Sequence, residues 1–101
     1  MSRTVVATES TRKPSWATKD PNDVLDFVIN WADRLGTDTI ASSVWTVPTG
    51  LTAGATSNTT TTTTVWLSAG VLDDDYEVLN RITTTGGRTM DQTVKLKVRA
   101  K

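Results

Sequence analysis

The sequence predicts an all-β sandwich, on three observations. Threonine and serine together fill 28 of 101 positions, 21 Thr and 7 Ser. The β-branched Thr side chain is stiff at its first torsion and suits a pleated surface better than a helix. Six or seven short segments alternate apolar and polar residues with period two, the signature of half-buried strands. Turn signals separate them at roughly 8–12-residue spacing, as in sandwiches and barrels.

The elements follow in order. Residues 1–19 carry scattered polar residues and Pro14, with no sustained period, and predict an extended N-terminal arm. Asp20-Pro21-Asn22-Asp23 is a turn, because Pro presets one torsion and Asn or Asp bonds its own backbone. In residues 24–31, Leu25, Phe27, Ile29 and Trp31 share one face of a strand. Residues 32–38 read as a connection with Gly36 and Asp38 as turn formers. Residues 39–47 form a second strand with Trp45 inward, ended by Pro48-Thr49-Gly50. Residues 51–58 predict a weak or edge strand interrupted by Gly54. In residues 59–68, Val65 and Leu67 face the core with Thr61 and Thr63, and Trp66 faces outward with Thr60, Thr62 and Thr64. Tyr76, Val78, Asn80 and Ile82 alternate against Glu77, Leu79, Arg81 and Thr83. Thr85-Gly86-Gly87 is a hairpin turn. The last strand, 88–99, turns Val94, Leu96 and Val98 inward and Thr93, Lys95, Lys97 and Arg99 outward. The domain division is therefore arm 1–19 and sandwich 20–101.

Composition excludes much chemistry. The chain has no His and no Cys. Ser-His-Asp and Cys-His nucleophile systems, thiolate or imidazole zinc sites and disulfides are all impossible. Asp73-Asp74-Asp75 lacks calcium-loop spacing, and reads as a solvated turn. The Asn58-Thr59-Thr60 sequon matters only in a secretory pathway, and the N-terminus lacks a signal-like apolar run. The expectation is a soluble, cytosol-made protein, not an enzyme, with no cofactor, no metal, no membrane and no nucleic-acid partner.

Eleven basic and eleven acidic residues cancel, but not evenly. Residues 1–19 hold Arg3, Arg12, Lys13 and Lys19 against Glu9. Residues 20–87 hold nine acids against Arg34 and Arg81. Residues 88–101 hold five bases against Asp91. Basic ends and an acidic body suggest either solvated strand faces or charge complementarity between subunits of an assembly.

Two resemblances add to this reading. LSAGVLDDDYEVLNRITTTGGRT resembles the last three strands of immunoglobulin-like and fibronectin type III domains, and Tyr76 resembles their tyrosine corner, whose hydroxyl bonds back to backbone just upstream. That makes Trp31, Trp45 and Tyr76 fold-defining. Over residues 19–99, KDPNDVLDFVINWADRLGTDTIASSVWTVPTGLT, TTVWLSAG and NRITTTGGRTMDQTVKLKV are similar to a family of small bacteriophage structural proteins with an immunoglobulin-like fold, the fiber–tail adaptor or tail-associated proteins. The resemblance implies a virion component, one that joins tail, neck or fiber parts by packing, and the arm and charge asymmetry suit a ring or other homo-oligomer. Capsid decoration and weak host-glycan binding are the alternatives. Candidate interface residues are Val5, Val6, Trp16, Trp66, Arg81, Arg88, Lys95, Lys97 and Arg99; Trp16, the one large apolar residue of the arm, either tucks back on the domain or anchors the arm on a neighbouring subunit.

Overall fold

The structure is a computed structural model that describes residues 2–101. Among these, seven strands and one short helix follow each other: β1 Thr4–Val6, β2 Leu25–Asn30, α1 Ala32–Leu35, β3 Ile40–Thr46, β4 Leu51–Asn58, β5 Thr62–Ala69, β6 Asp75–Thr84 and β7 Thr89–Lys97. One sheet has the order β1-β2-β5-β4, the other β3-β6-β7. This is the four-over-three strand order of constant-type immunoglobulin domains. One feature departs from it: β1 runs parallel to β2, Thr4 opposite Val28 and Val6 opposite Asn30.

The period-two residues of both sheets meet in one core. Phe27, Ile29, Val65 and Leu67 from the first sheet are fully buried against Val78, Ile82, Val94 and Leu96 from the second. Trp66 points away from that core, as its alternation predicts, and is 42% exposed. Tyr76 is buried, and its hydroxyl accepts the N–H of Val71 at 2.9 Å. Gly50 makes room for that ring. Its φ is 104°, and a Cβ there would lie 2.8 Å from the Tyr76 hydroxyl.

With no disulfide available, polar bonds tie the sheets together. Asn80 of β6 is fully buried. Its Oδ1 accepts from Trp31 Nε1 at 3.1 Å and from the Thr63 hydroxyl of β5 at 2.7 Å. Its Nδ2 donates to Ser43 Oγ at 2.8 Å and to the Val44 carbonyl of β3 at 3.1 Å. Every polar atom of the amide is thus paired, which burial requires.

The structure corrects several expectations. Residues 2–19, expected as an arm on a neighbouring subunit, lie along this chain's own sandwich. Val5 and Ala7 are buried, and Trp16 is only 1% exposed. Trp16 packs on Phe27 and Trp45, with ring centroids 5.1 and 6.1 Å away, and its Nε1 donates to the Val28 carbonyl at 3.0 Å. The backbone beside it lies parallel to β7. Lys95 N–H donates to the Pro14 carbonyl, Trp16 N–H to the Lys95 carbonyl, and Lys19 N–H to the Lys97 carbonyl. The physical reason is twofold: a Trp gains much by leaving water, and the open edge of β7 offers unpaired backbone groups.

The other corrections are local. The 32–38 connection contains α1, because Leu35 folds back into the core and its N–H donates to the Trp31 carbonyl at 2.9 Å. A β-bulge between Ile40 and Ser42 shifts the phase of β3, so Ile40 and Trp45 both reach the core. β5 starts at Thr62 rather than 59. The Thr59 hydroxyl accepts the N–H groups of Thr61 and Thr62, making a side-chain turn out of the first threonines.

Candidate partner-binding surface

The basic residues proposed as contacts meet acids of the same chain. Arg81 grips Asp91 with two bonds of 2.8 and 3.0 Å. This is a cross-strand pair, and Glu77, on the same face, binds Lys13 instead at 3.1 Å. Arg88 Nη1 donates to Asp38 at 2.9 Å and Arg99 Nη2 to Asp75 at 2.8 Å. Lys95 and Lys97 stand opposite Glu77 and Asp75 in the β6–β7 register. Arg3 binds Asp26 at 3.4 Å and Arg34 binds Glu9 at 3.2 Å. Each of these pairs joins a terminal segment to the body of the chain. The basic ends and acidic body therefore complement each other within one molecule.

Asp38 is the most heavily engaged acid. The Thr84 hydroxyl, the N–H groups of Thr39 and Gly86 and the Arg88 guanidinium hold its carboxyl far below the usual carboxylate range. Its Oδ1 accepts the Thr39 N–H at 2.8 Å and the Gly86 N–H at 3.0 Å. It fastens the β6–β7 turn to the start of β3.

Lys19, one of the four bases of residues 1–19, is fully buried. Its Nζ donates to the carbonyls of Asp20 at 2.8 Å and Ala69 at 2.6 Å. Burial pulls its pKa down, and the nearby Asp23 and Asp20 oppose that shift. It acts as a strut between the N-terminal segment and the end of β5.

Of the proposed contacts, Trp16 and Val5 lie in the core, while Val6 is 49% and Trp66 42% exposed. Register places both exposed residues on the outer face of the four-stranded sheet. Thr4 and Val6 flank Val28 and Asn30 of β2, which flank Thr64 and Thr62 of β5. Trp66 stands opposite Asp26 on one side. On the other side lies Gly54 of β4, where a Cβ would sit 3.5 Å from that of Trp66. The position beside Trp66 toward the sheet edge therefore carries no side chain.

A simple signal in the sequence marks this region. Residues 39–72 contain no Asp, Glu, Lys or Arg. They span β3, β4 and β5. Both β3 and β4 are edge strands, and every residue of β4 after Leu51 is exposed. The molecule thus has one flank of ion-paired ladders and one flank without charge.

A search of curated proteins finds no match. The family model described as "Podophage GP4 fiber-tail adaptor protein gp77" matches residues 19–97. The match runs from the buried Lys19 to the end of β7 and takes in the whole uncharged flank, so the chain belongs to this phage fiber–tail adaptor family.

Proposed function

We propose that this chain is a structural adaptor subunit of a phage virion, joining tail and fiber parts by packing of its uncharged flank against partner virion proteins. Trp66 carries the reading. A large aromatic side chain, 42% exposed in a row of threonines, contributes nothing to the core, and buried Trp residues dominate protein interfaces. The action is a docking event with no chemical step. The chain works in several copies, and the core placement of Trp16 moves the proposed contact from the arm to β4 and β5.

The test is complementation with Trp66→Thr, which continues the outward Thr row. The purified variant keeps its strand content by circular dichroism, and particles made with it lack the adaptor or lack fibers. Full incorporation with normal fibers would overturn the reading. Should fiber-bearing particles form but fail to adsorb, host-glycan stacking on Trp66 replaces docking as its role.

A further inference from the structure

The two flanks of the sandwich are finished differently. At one flank the edge of β7 is covered by residues 14–19, whose backbone bonds to Lys95, Lys97 and Arg99. At the other, β3 and β4 end their sheets with nothing beyond them among the described residues. Open edges are normally guarded by Lys, Pro or an inward charge. Leu51–Asn58 has none of these. It carries only a bulge between Ala53 and Thr56, which leaves Thr56, Ser57 and Asn58 as a regular stretch.

The absence of charge bears on the occupant. A contact between different proteins gains specificity and speed from complementary charges. A two-fold contact between identical chains sets each surface against itself, so a charge near the axis meets its own kind at a cost. Residues 39–72 form the long stretch of this chain that can face itself with no like-charge pair. We propose that the β4 edge is the docking site for a second copy of this chain, edge to edge and antiparallel through Thr56–Asn58, which leaves Trp66, one strand in from that edge, to the partner virion proteins. The pairing would extend β1-β2-β5-β4 across two molecules and supply backbone bonds that need no particular side chain. This deepens the adaptor reading, since it assigns the surface through which copies of the subunit meet.

Sedimentation of the purified full chain tests it, from about 1 μM to about 1 mM, the range of a small interface. The expected result is a monomer–dimer equilibrium that does not weaken with salt, because no charges lie at the seam. Thr56→Lys and Ser57→Lys, at exposed positions, weaken dimerisation at least about tenfold, as edge charges do. Thr89→Lys, at an exposed position on the opposite flank, leaves it unchanged. A chain that stays monomeric throughout, or Lys variants that dimerise like the parent, would overturn the seam. The complementation result with Trp66→Thr stands apart from this measurement, so the adaptor reading can survive the loss of the seam.

Discussion

Replacing Trp16 by Ala tests whether the N-terminal segment is part of the fold or a strap awaiting a partner. The side chain is 1% exposed, touches Phe27 and Trp45, and bonds the Val28 carbonyl. An aromatic side chain buries roughly 150–250 Å². At about 25 cal/mol per Å², that burial stabilises by about 4–6 kcal/mol, and a neutral hydrogen bond adds about 1 kcal/mol. Relaxation around the cavity recovers part of this, and Trp→Ala changes in cores commonly cost about 3–5 kcal/mol. A domain of this size has a total stability of roughly 5–15 kcal/mol. Trp16→Ala should therefore lower the urea midpoint steeply, by about 3–5 kcal/mol in equilibrium unfolding followed by circular dichroism. Trp16→Phe, which keeps most of the packing, should cost less than half as much. A loss under about 0.5 kcal/mol, the usual effect of a surface change, would refute the docked segment and restore the free arm. Deleting residues 2–19 should for the same reason unfold the domain rather than leave a folded monomer.

Asn80→Ala should cost about 3 kcal/mol or more, because it opens a cavity and strips partners from Thr63, Trp31 and the Val44 carbonyl. A double-mutant cycle with Thr63→Val should show coupling, and purely additive losses would break the proposed network. Tyr76→Phe removes the bond to the Val71 N–H and should cost about 1 kcal/mol by thermal or urea unfolding; no change would make the hydroxyl irrelevant to the fold. Asp38 has a depressed folded pKa, so its contribution is complete above the unfolded carboxylate value of about 3.9 and is lost as pH falls through the folded value. Asp38→Asn should lower the urea midpoint at neutral pH, with the gap to the parent closing as the pH drops below about 4; a constant gap would reject the assignment.

The sequence declares its strands where a segment is long enough to show a period and has one wet face. β6 and β7 are of this kind, with Tyr76, Val78, Asn80 and Ile82 on one side and Val94 and Leu96 facing them. So is β5, where Trp66 stands outward among threonines. β1 shows no such pattern. It is three residues long and pairs parallel with a strand more than twenty positions away, and three residues carry no period. Residues 14–19 bond to β7 only through scattered bridges, and their one strong clue, Trp16, reads equally as a core residue or an interface anchor. Lys19 misleads because a charged type is seldom buried, while here two carbonyls receive its ammonium. The bulges in β3 and β4 depend on partners that local sequence does not name. Of the candidate surface, Trp66 was readable from alternation alone. The uncharged run was also open to view, but charge totals over 20–87 hide it, because its neighbours Asp38 and Asp73 belong to the same block.

The ion pairs and the bare flank are two consequences of one placement. Arg3, Lys13, Arg88 and Arg99 lie on terminal segments, and each finds an acid of the body when those segments lie along the sandwich. Exposed pairs of this kind contribute little stability. Their effect is on the field: a basic group matched by an acid a few ångströms away projects little potential beyond a Debye length. Such a molecule has no strong long-range attraction to an oppositely charged partner. On the adaptor reading proposed above, its contacts form through close packing at the uncharged flank, at the slower rates of unsteered association. High local concentration in a growing particle offsets slow encounter and weak pair affinity, because each copy already held in place makes the next contact effectively intramolecular. On that reading, a subunit built this way binds firmly only where several contacts are presented together, as an adaptor in an ordered assembly requires.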